Sequence, residues 1–210
     1  MGFRDLLEGA IEVNEKISVF HEMFDYSEEK KHQPIIFNNI AESPNHRASL
    51  NILTRERICA SFGISPGELI DILSWAMKNP SEPKMIDKEL APVMENTQSS
   101  LDLSKVPIPW HYKEDGGRYQ SASIIVAEYD NQRNISFHRQ LLRDKTSTVS
   151  RFVPRHLRTM TDKAWKANEE MPIAVVNGAD PLVLLSGAMS FNEPLDEMRV
   201  ASSLHQKLYG

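Results

Sequence analysis

Apolar and polar residues along this chain alternate with two periods, and the switches between them mark out the elements. "FRDLLEGAIEV" has helical spacing at Leu6, Leu7, Ala10 and Ile11, and "QPIIFNNI" reads as a short apolar strand. In "LTRERICASFGIS", Thr54 is placed to cap a helix whose apolar face is Ile58 and Phe62, and Gly63 is placed to stop it. "SPGELIDILSWAMKNP" predicts a further helix, with Ser65 at the N-cap, Pro66 at the first helical position and Glu68 three residues after the cap. Leu69, Ile70, Leu73, Ala76 and Met77 then run down one face. Together these segments predict a small N-terminal α/β domain over residues 1–98.

From Pro80 to Gln98 the chain turns polar, Pro80, Pro83 and Pro92 punctuate it and the periodicity fades, which predicts a domain connection. Beyond it "PIPWHYKEDGGRY" reads as a loop, with Gly116-Gly117 turning into a strand in "SASIIVAEY". "NISFHRQLL" alternates Ile135, Phe137 and Leu141 with Ser136, His138 and Gln140, the pattern of one half-buried strand. "STVSRFV" reads as another strand. Pro154 is placed to start a helix carrying Leu157, Met160, Ala164 and Ala167, and "PIAVVNG" reads as a strand buried on both faces. Asp180-Pro181 predicts the capped start of "PLVLLSGAM". "MRVASSLHQKLYG" sets Met198, Ala201, Leu204 and Leu208 at helical spacing, a face for an intersubunit or interdomain contact or for packing on its own domain. The predicted class is α+β, with short strands dominating residues 99–210.

Composition changes this picture little. The 210 residues carry 24 Lys and Arg against 29 Asp and Glu, a net charge of −5, so neither nucleic acid nor an anionic membrane is the expected partner of the whole surface. Cys59 is the single cysteine, which excludes an intrachain disulfide and a thiolate metal cluster and reads as a buried thiol. No apolar run approaches the ~20 residues that span a bilayer, and "MGFRDLLEGA" lacks a signal-peptide core. A cytoplasmic location is the expectation. The local exception to the acidic balance is "RNISFHRQLLRDKTSTVSRFVPRHL", residues 133–157, with Arg133, His138, Arg139, Arg143, Arg151, Arg155 and His156. No phosphate-binding glycine loop, helical metal-ligand pair or nucleophile elbow accompanies it.

Five segments, "ERICASFGISPGELI", "LDLSKVPIPWHYKEDGGRY", "RNISFHRQLL", "VPRHL" and "GADPLVLLSGAMS", occur in the order found in the UbiD family, which this chain resembles from "FRDLL" to its last residues. The resemblance implies a split β-barrel flavin-binding domain with flanking helices over residues 99–210. It also implies a non-oxidative decarboxylase that uses prenylated FMN on an α,β-unsaturated or aromatic carboxylic acid. In such enzymes the flavin carries the bond breaking, carbon dioxide leaves and a glutamate delivers a proton. A flavin prenyltransferase supplies the cofactor.

Residue by residue, the resemblance assigns Asn134, His156 and Glu197 to a divalent cation, Mn2+ or Mg2+, that bridges to the cofactor phosphate. Oxygen donors and one imidazole suit a hard cation. It places Ile135, Ser136, Phe137, His138, Arg155, Gly187, Ala188 and Met189 against the cofactor, and K+ beside the turn from Ser186 to Met189. Arg139 matches the family arginine beside the substrate carboxylate, where a planar guanidinium can grip an acid bidentately. Asn134 and Arg139 are five residues apart, which an ideal strand would send to opposite faces, so a bulge, a strand end or a backbone contact is expected between them. Arg133, Arg143 and Arg151 receive no such role and are expected to be solvated, with Asp144 pairing to a neighbour.

The relatives are about twice as long. The glutamates of their acid/base set, and a C-terminal domain that closes the site and builds dimers, lie beyond the position matching Gly210. Arg118 stands where they usually have proline. Two readings follow: the cofactor-binding subunit of a split decarboxylase, oligomeric and completed by a partner chain, or a noncatalytic flavin or phosphate binder or scaffold. "SFHR" and "VPRHL" are more similar to archaeal members, some of which decarboxylate an anhydromevalonate phosphate.

Overall fold

Residues 2–190 and 195–210 are described by the computed structural model. A 3-10 turn at Phe3–Leu7 leads into β1 (Ile11–Val13), α1 (Glu22–Glu29), β2 (Ile35–Phe37), β3 (Ala48–Leu50), α2 (Arg55–Phe62) and α3 (Leu69–Lys78). After the connection come β4 (Tyr119–Gln120), β5 (Ile124–Tyr129), β6 (Gln132–Phe137), β7 (Gln140–Leu142) and β8 (Thr148–Ser150). The chain ends with α4 (His156–Ala167), β9 (Ile173–Val176), α5 (Pro181–Ala188) and α6 (Glu197–Tyr209). Strands pair as β1-β2-β3, β4-β7-β8 and β6-β5-β9, all antiparallel except β1 with β2. The α+β expectation agrees with this, and the strands of the second part are two three-stranded antiparallel sheets.

Local capping signals translate directly into helix starts. Thr54 accepts a hydrogen bond from the Arg57 N–H and Gly63 stops α2 at φ +69°, the left-handed region that glycine enters without steric cost. Asp180 accepts from the Leu182 N–H at 2.8 Å and Pro181 opens α5. Glu68 receives both the N–H and the hydroxyl of Ser65 at 2.8 and 2.7 Å, so the expected capping pair forms, although regular α geometry begins only at Leu69.

Several expectations are corrected. Gly9, at φ +68°, interrupts "FRDLLEGAIEV", so the helical piece is the 3-10 turn and Ile11 opens a strand. On α3, Ile70 is 57% exposed, and Met77 is also exposed. "NISFHRQLL" is two strands in different sheets: β6 ends at Phe137, and Gln140 is buried because its amide donates to Ser123 at 3.0 Å and its carbonyl accepts from Thr148 at 3.3 Å. α4 starts at His156, two residues after Pro154, and Ala167 is exposed. β9 pairs only with β5 and lies at a sheet edge, leaving Ile173 and Val175 exposed, so the apolar run does not mark a strand buried on both faces.

The C-terminal helix α6 packs on its own chain. Val200, Ala201 and Leu204 are buried, and Leu208 packs against the same core. That core joins Leu6, Ile58, Phe62 and Ala76 to Leu182, Val200 and Leu204, residues from both sides of the connection at residue 98. Aspartate at Leu204 would bury a charge and unfold the chain. Cys59 is buried, as expected, and burial pushes its thiol up. Among the described residues no helix is long and apolar enough to cross a membrane.

Arg118, the departure from proline, ties the loop "SKVPIPW" to the N-terminal part. Its guanidinium donates to the carbonyls of Ile108, Val106 and Ser104 at 2.8, 2.7 and 3.2 Å and lies 5.8 Å from the centre of the Phe20 ring. The Trp110 N–H reaches the Val19 carbonyl at 2.8 Å from the same loop. Hydrogen bonds from a charged donor contribute about 1.5–3 kcal/mol each when partly desolvated. Arg118→Met should therefore lower unfolding free energy by about 3 kcal/mol, read from urea midpoints at unchanged slope.

Candidate functional site

Four segments converge on a cavity of about 780 Å³. β6 supplies Asn134, Ile135, Ser136 and Phe137, with His138 just past its end. The start of α4 adds Arg155 and His156, the end of α5 adds Gly187, Ala188 and Met189, and the first residue of α6 adds Glu197. Each residue that the resemblance placed against the cofactor thus lines one space, except Arg139. Val153, Pro154, Leu157, Thr159 and Ser190 also line it. All but Thr159 belong to the quoted motifs "VPRHL" and "SGAMS", so the motifs as wholes mark this wall beyond the single positions assigned.

Arg139 is exposed, follows the end of β6, and lies 5.9 Å from the centre of the Tyr119 ring. The break between β6 and β7 resolves the five-residue phase problem as a strand end, and it directs Arg139 to Tyr119 and not into the cavity wall. His138 packs edge-to-face on Phe152 with ring centres 4.9 Å apart, and burial holds its imidazole below its ordinary pKa.

The deepest polar element is Glu197, only 3% exposed. Asn134 donates its Nδ2 to one carboxylate oxygen and the Ile135 N–H donates to the other, both at 2.8 Å. Ser136, on the same side of β6 two residues on, donates its hydroxyl to Asn134 Oδ1 at 2.9 Å. Burial is the largest influence on Glu197 and pushes its carboxyl up to about 7, against the pull of those donors. A carboxylate held by neutral donors in a desolvated site is costly unless a cation joins it. At the helix start the backbone N–H of Glu197 itself pulls its carboxyl down, whereas the neighbouring Asp196, which caps α6 by accepting from the Met198 N–H at 2.8 Å, pushes it up. Arg133 reaches Asp196 at 3.4 Å and Glu128 at 3.6 Å, so it is an anchor of this helix start and not the solvated residue expected. Arg143 and Arg151 are exposed, and Asp144 accepts from Thr146 and Ser147, whose donors pull it down to about 2.

Among the described residues there is no cluster of three or more His, Cys, Asp or Glu side chains that could hold a metal. An ion at this site would take the Asn134 amide oxygen, the His156 imidazole and the Glu197 carboxylate. Residues 191–194, "FNEP", just before Glu197, lie outside the described residues.

Gly187 sets how closely α5 approaches β6. A Cβ there would sit 3.0 Å from the Ile135 side chain and 3.5 Å from its carbonyl oxygen. Gly187→Ala should push Ile135 toward the cavity and lower stability by about 1–3 kcal/mol, checked by thermal unfolding of the two proteins side by side.

Comparison with known proteins follows the same lines. The family described as the 3-octaprenyl-4-hydroxybenzoate carboxy-lyase Rift-related domain, UbiD, matches residues 84–209. The anhydromevalonate phosphate decarboxylase of Methanothermobacter thermautotrophicus is 32% identical over 202 residues, covering 95% of this chain and 47% of that enzyme. The gallate decarboxylase of Lactiplantibacillus plantarum is 25% identical over 188 residues, covering 82% of this chain and 38% of that one. An evolved dimeric form of the UbiD-class enzyme HmfF from Pelotomaculum thermopropionicum, in complex with prFMN, superimposes with a TM-score of 0.90 at 25% identity, over 97% of this chain and 50% of the other. The closed form of the Sedimentibacter hydroxybenzoicus vanillic acid decarboxylase has the same fold, with a TM-score of 0.87 at 19% identity. The chain spans about half the length, or less, of these relatives. With residues 84–209 matched across both the cavity wall and the helices that close it, the chain belongs to the UbiD family.

Proposed function

We propose that this chain is the prenylated-FMN-binding part of a UbiD-type (de)carboxylase acting on an α,β-unsaturated or aromatic carboxylic acid. The observation that carries this reading is the gathering of Asn134, Ser136, His156, Gly187, Met189 and Glu197, far apart in sequence, around one cavity. Its volume lies within the roughly 300–1,000 Å³ range of cofactor and ligand sites. The donor set fits a divalent cation: the desolvated Glu197 carboxylate has only neutral hydrogen-bond partners among the described residues, and an amide oxygen and an imidazole share its cavity.

In this reading Asn134, His156 and Glu197 hold Mn2+ or Mg2+, which offsets the charge of the cofactor phosphate. Arg155 and the free N–H groups at the start of α4 add positive potential on the same wall. The last carbonyls of α5 and the turn at Ser186–Met189 supply the negative end of a helix for K+. Ile135, Phe137 and Leu157 give the apolar surface against which a flavin ring packs. When bound, the prenylated flavin supplies the electron sink for carbon–carbon bond cleavage. Arg139, next to His138, is assigned to the substrate carboxylate, and Tyr119 is its resting place. Glu197 is the one carboxylate lining the cavity among the described residues, and its hydrogen bonds commit it to Asn134 and Ile135. The proton donor therefore comes from elsewhere, and we assign it to glutamates of a partner chain corresponding to the remaining half of the relatives. The cofactor is assigned to a flavin prenyltransferase as its source, and the similarity to anhydromevalonate phosphate decarboxylases favours an unsaturated aliphatic acid.

One observation favours the second reading, a noncatalytic flavin or phosphate binder. Arg139 stacks on Tyr119 and is absent from the cavity wall. Copurification from the native host separates the two. A stoichiometric partner that restores decarboxylation to the flavin-loaded chain supports the enzyme; flavin binding with no such partner leaves the binder.

A further inference from the structure

A second cavity, of about 810 Å³, lies under the loop that carries the "PIP" motif; it shares no lining residue with the first, and of the residues given a role in the proposed function only Tyr119, on which Arg139 rests, borders it. It is enclosed by residues 46–54, 106–109 and 119–122 and by Gly178. Its walls are mostly apolar, with Met23, Ile108 and Leu184 among them. Its charged and titratable lining, apart from the phenol of Tyr119, is Arg47, His46 and His111. No aspartate or glutamate lines it among the described residues, in a chain that carries 29 acidic residues against 24 lysines and arginines. Arg47 is exposed and forms no ion pair among the described residues, so its charge is not already offset by a neighbour. This cavity is separate from the cofactor site. Ile135 lines the first cavity and Leu184 the second, and the two side chains pack together in one cluster between them.

We propose that this second cavity binds an organic anion with an apolar body, its head on Arg47 and its body against Met23, Ile108 and Leu184. An apolar wall of this size rewards a ligand with several methylene groups, and a wall free of carboxylates with one unpaired guanidinium selects a negative head. An uncharged ligand of the same length gains only the first contribution, and a short acid only the second. Because the cavity lies behind the Ile135–Leu184 contact, this binding does not depend on the flavin assignment.

Calorimetry on the 210-residue chain with decanoate, decanol and acetate tests this, combined with methyl spectra of methionine-labelled protein. Decanoate should bind at least tenfold more tightly than decanol or acetate, shift the Met23 methyl signal and leave that of Met189, in the cofactor cavity, unmoved. Arg47→Ala, at an exposed side chain, should weaken decanoate at least tenfold and leave decanol unchanged. Absence of decanoate binding, equal affinity for decanol, insensitivity to Arg47→Ala, or a shift confined to Met189 would each overturn the proposal. The last outcome would mean that the acid enters the cofactor cavity.

Discussion

Flavin retained after desalting in the presence of manganese should fall at least about tenfold in His156→Ala and in Glu197→Gln, whereas without metal His156→Ala should retain as much as wild type and Glu197→Gln, relieved of a carboxylate facing the phosphate, at least as much. The effect is electrostatic. A cofactor phosphate and the Glu197 carboxylate are both anionic, and Glu197 sits at 3% exposure with no cationic hydrogen-bond partner among the described residues. Bringing the two together without an intervening cation is repulsive in a poorly solvated site. With the cation present, the same two groups become its ligands. His156 is only partly buried at the first position of α4, so its removal leaves the fold intact and isolates the ligand effect. Glutamine at 197 keeps the shape and can keep the bond from Asn134, and removes the charge together with the acceptor for the Ile135 N–H. Metal-dependent retention equal to wild type in both variants would remove Asn134, His156 and Glu197 from the metal site.

Turnover shows the second large effect: the purified chain loaded with prenylated FMN and manganese should decarboxylate its acid 10²- to 10⁴-fold more slowly than the chain with its partner, the span that a missing general acid accounts for. Arg139 is the residue assigned to the acid, and a guanidinium, with its pKa above ~12, orients a carboxylate without giving up a proton. Glu197 is committed to the backbone of β6 and to Asn134. His138 packs on Phe152, and burial holds its imidazole below its ordinary pKa, which disfavours the protonated form as a proton source. A pre-steady-state burst of product, present when release is slow and absent when chemistry is slow, distinguishes the two. Turnover by the isolated chain at the rate of the complex would show that a donor within it had been overlooked.

What the sequence disclosed depended on the range of the interaction. Thr54, Gly63 and Asp180-Pro181 act within four residues, and their caps are found where the pattern put them. The phase reversal at Gln140 was not legible, because its burial depends on Ser123 and Thr148 in other strands. α1 was missed for a related reason: "EMFDYSEE" is short and polar, and it buries only Met23 and Ser27. β9 misled because an apolar run has the same letters at an edge as in the middle of a sheet. Glu197 shows the limit most plainly. By residue type it belongs in solvent, and its partners lie 62 and 63 positions away, so only the family resemblance singled it out. The second cavity, built from segments spread between Phe3 and Leu184, left no signal at all in the periodicity.

The central claim is that one divalent ion joins the residues of the first cavity to the phosphate of its cofactor. Pulsed electron paramagnetic resonance of the chain loaded with manganese and prenylated FMN measures this directly. The account predicts a 31P coupling from the phosphate and a 14N coupling from one imidazole, the latter lost in His156→Ala. Manganese that shows neither coupling, or keeps the 14N coupling in that variant, would contradict it.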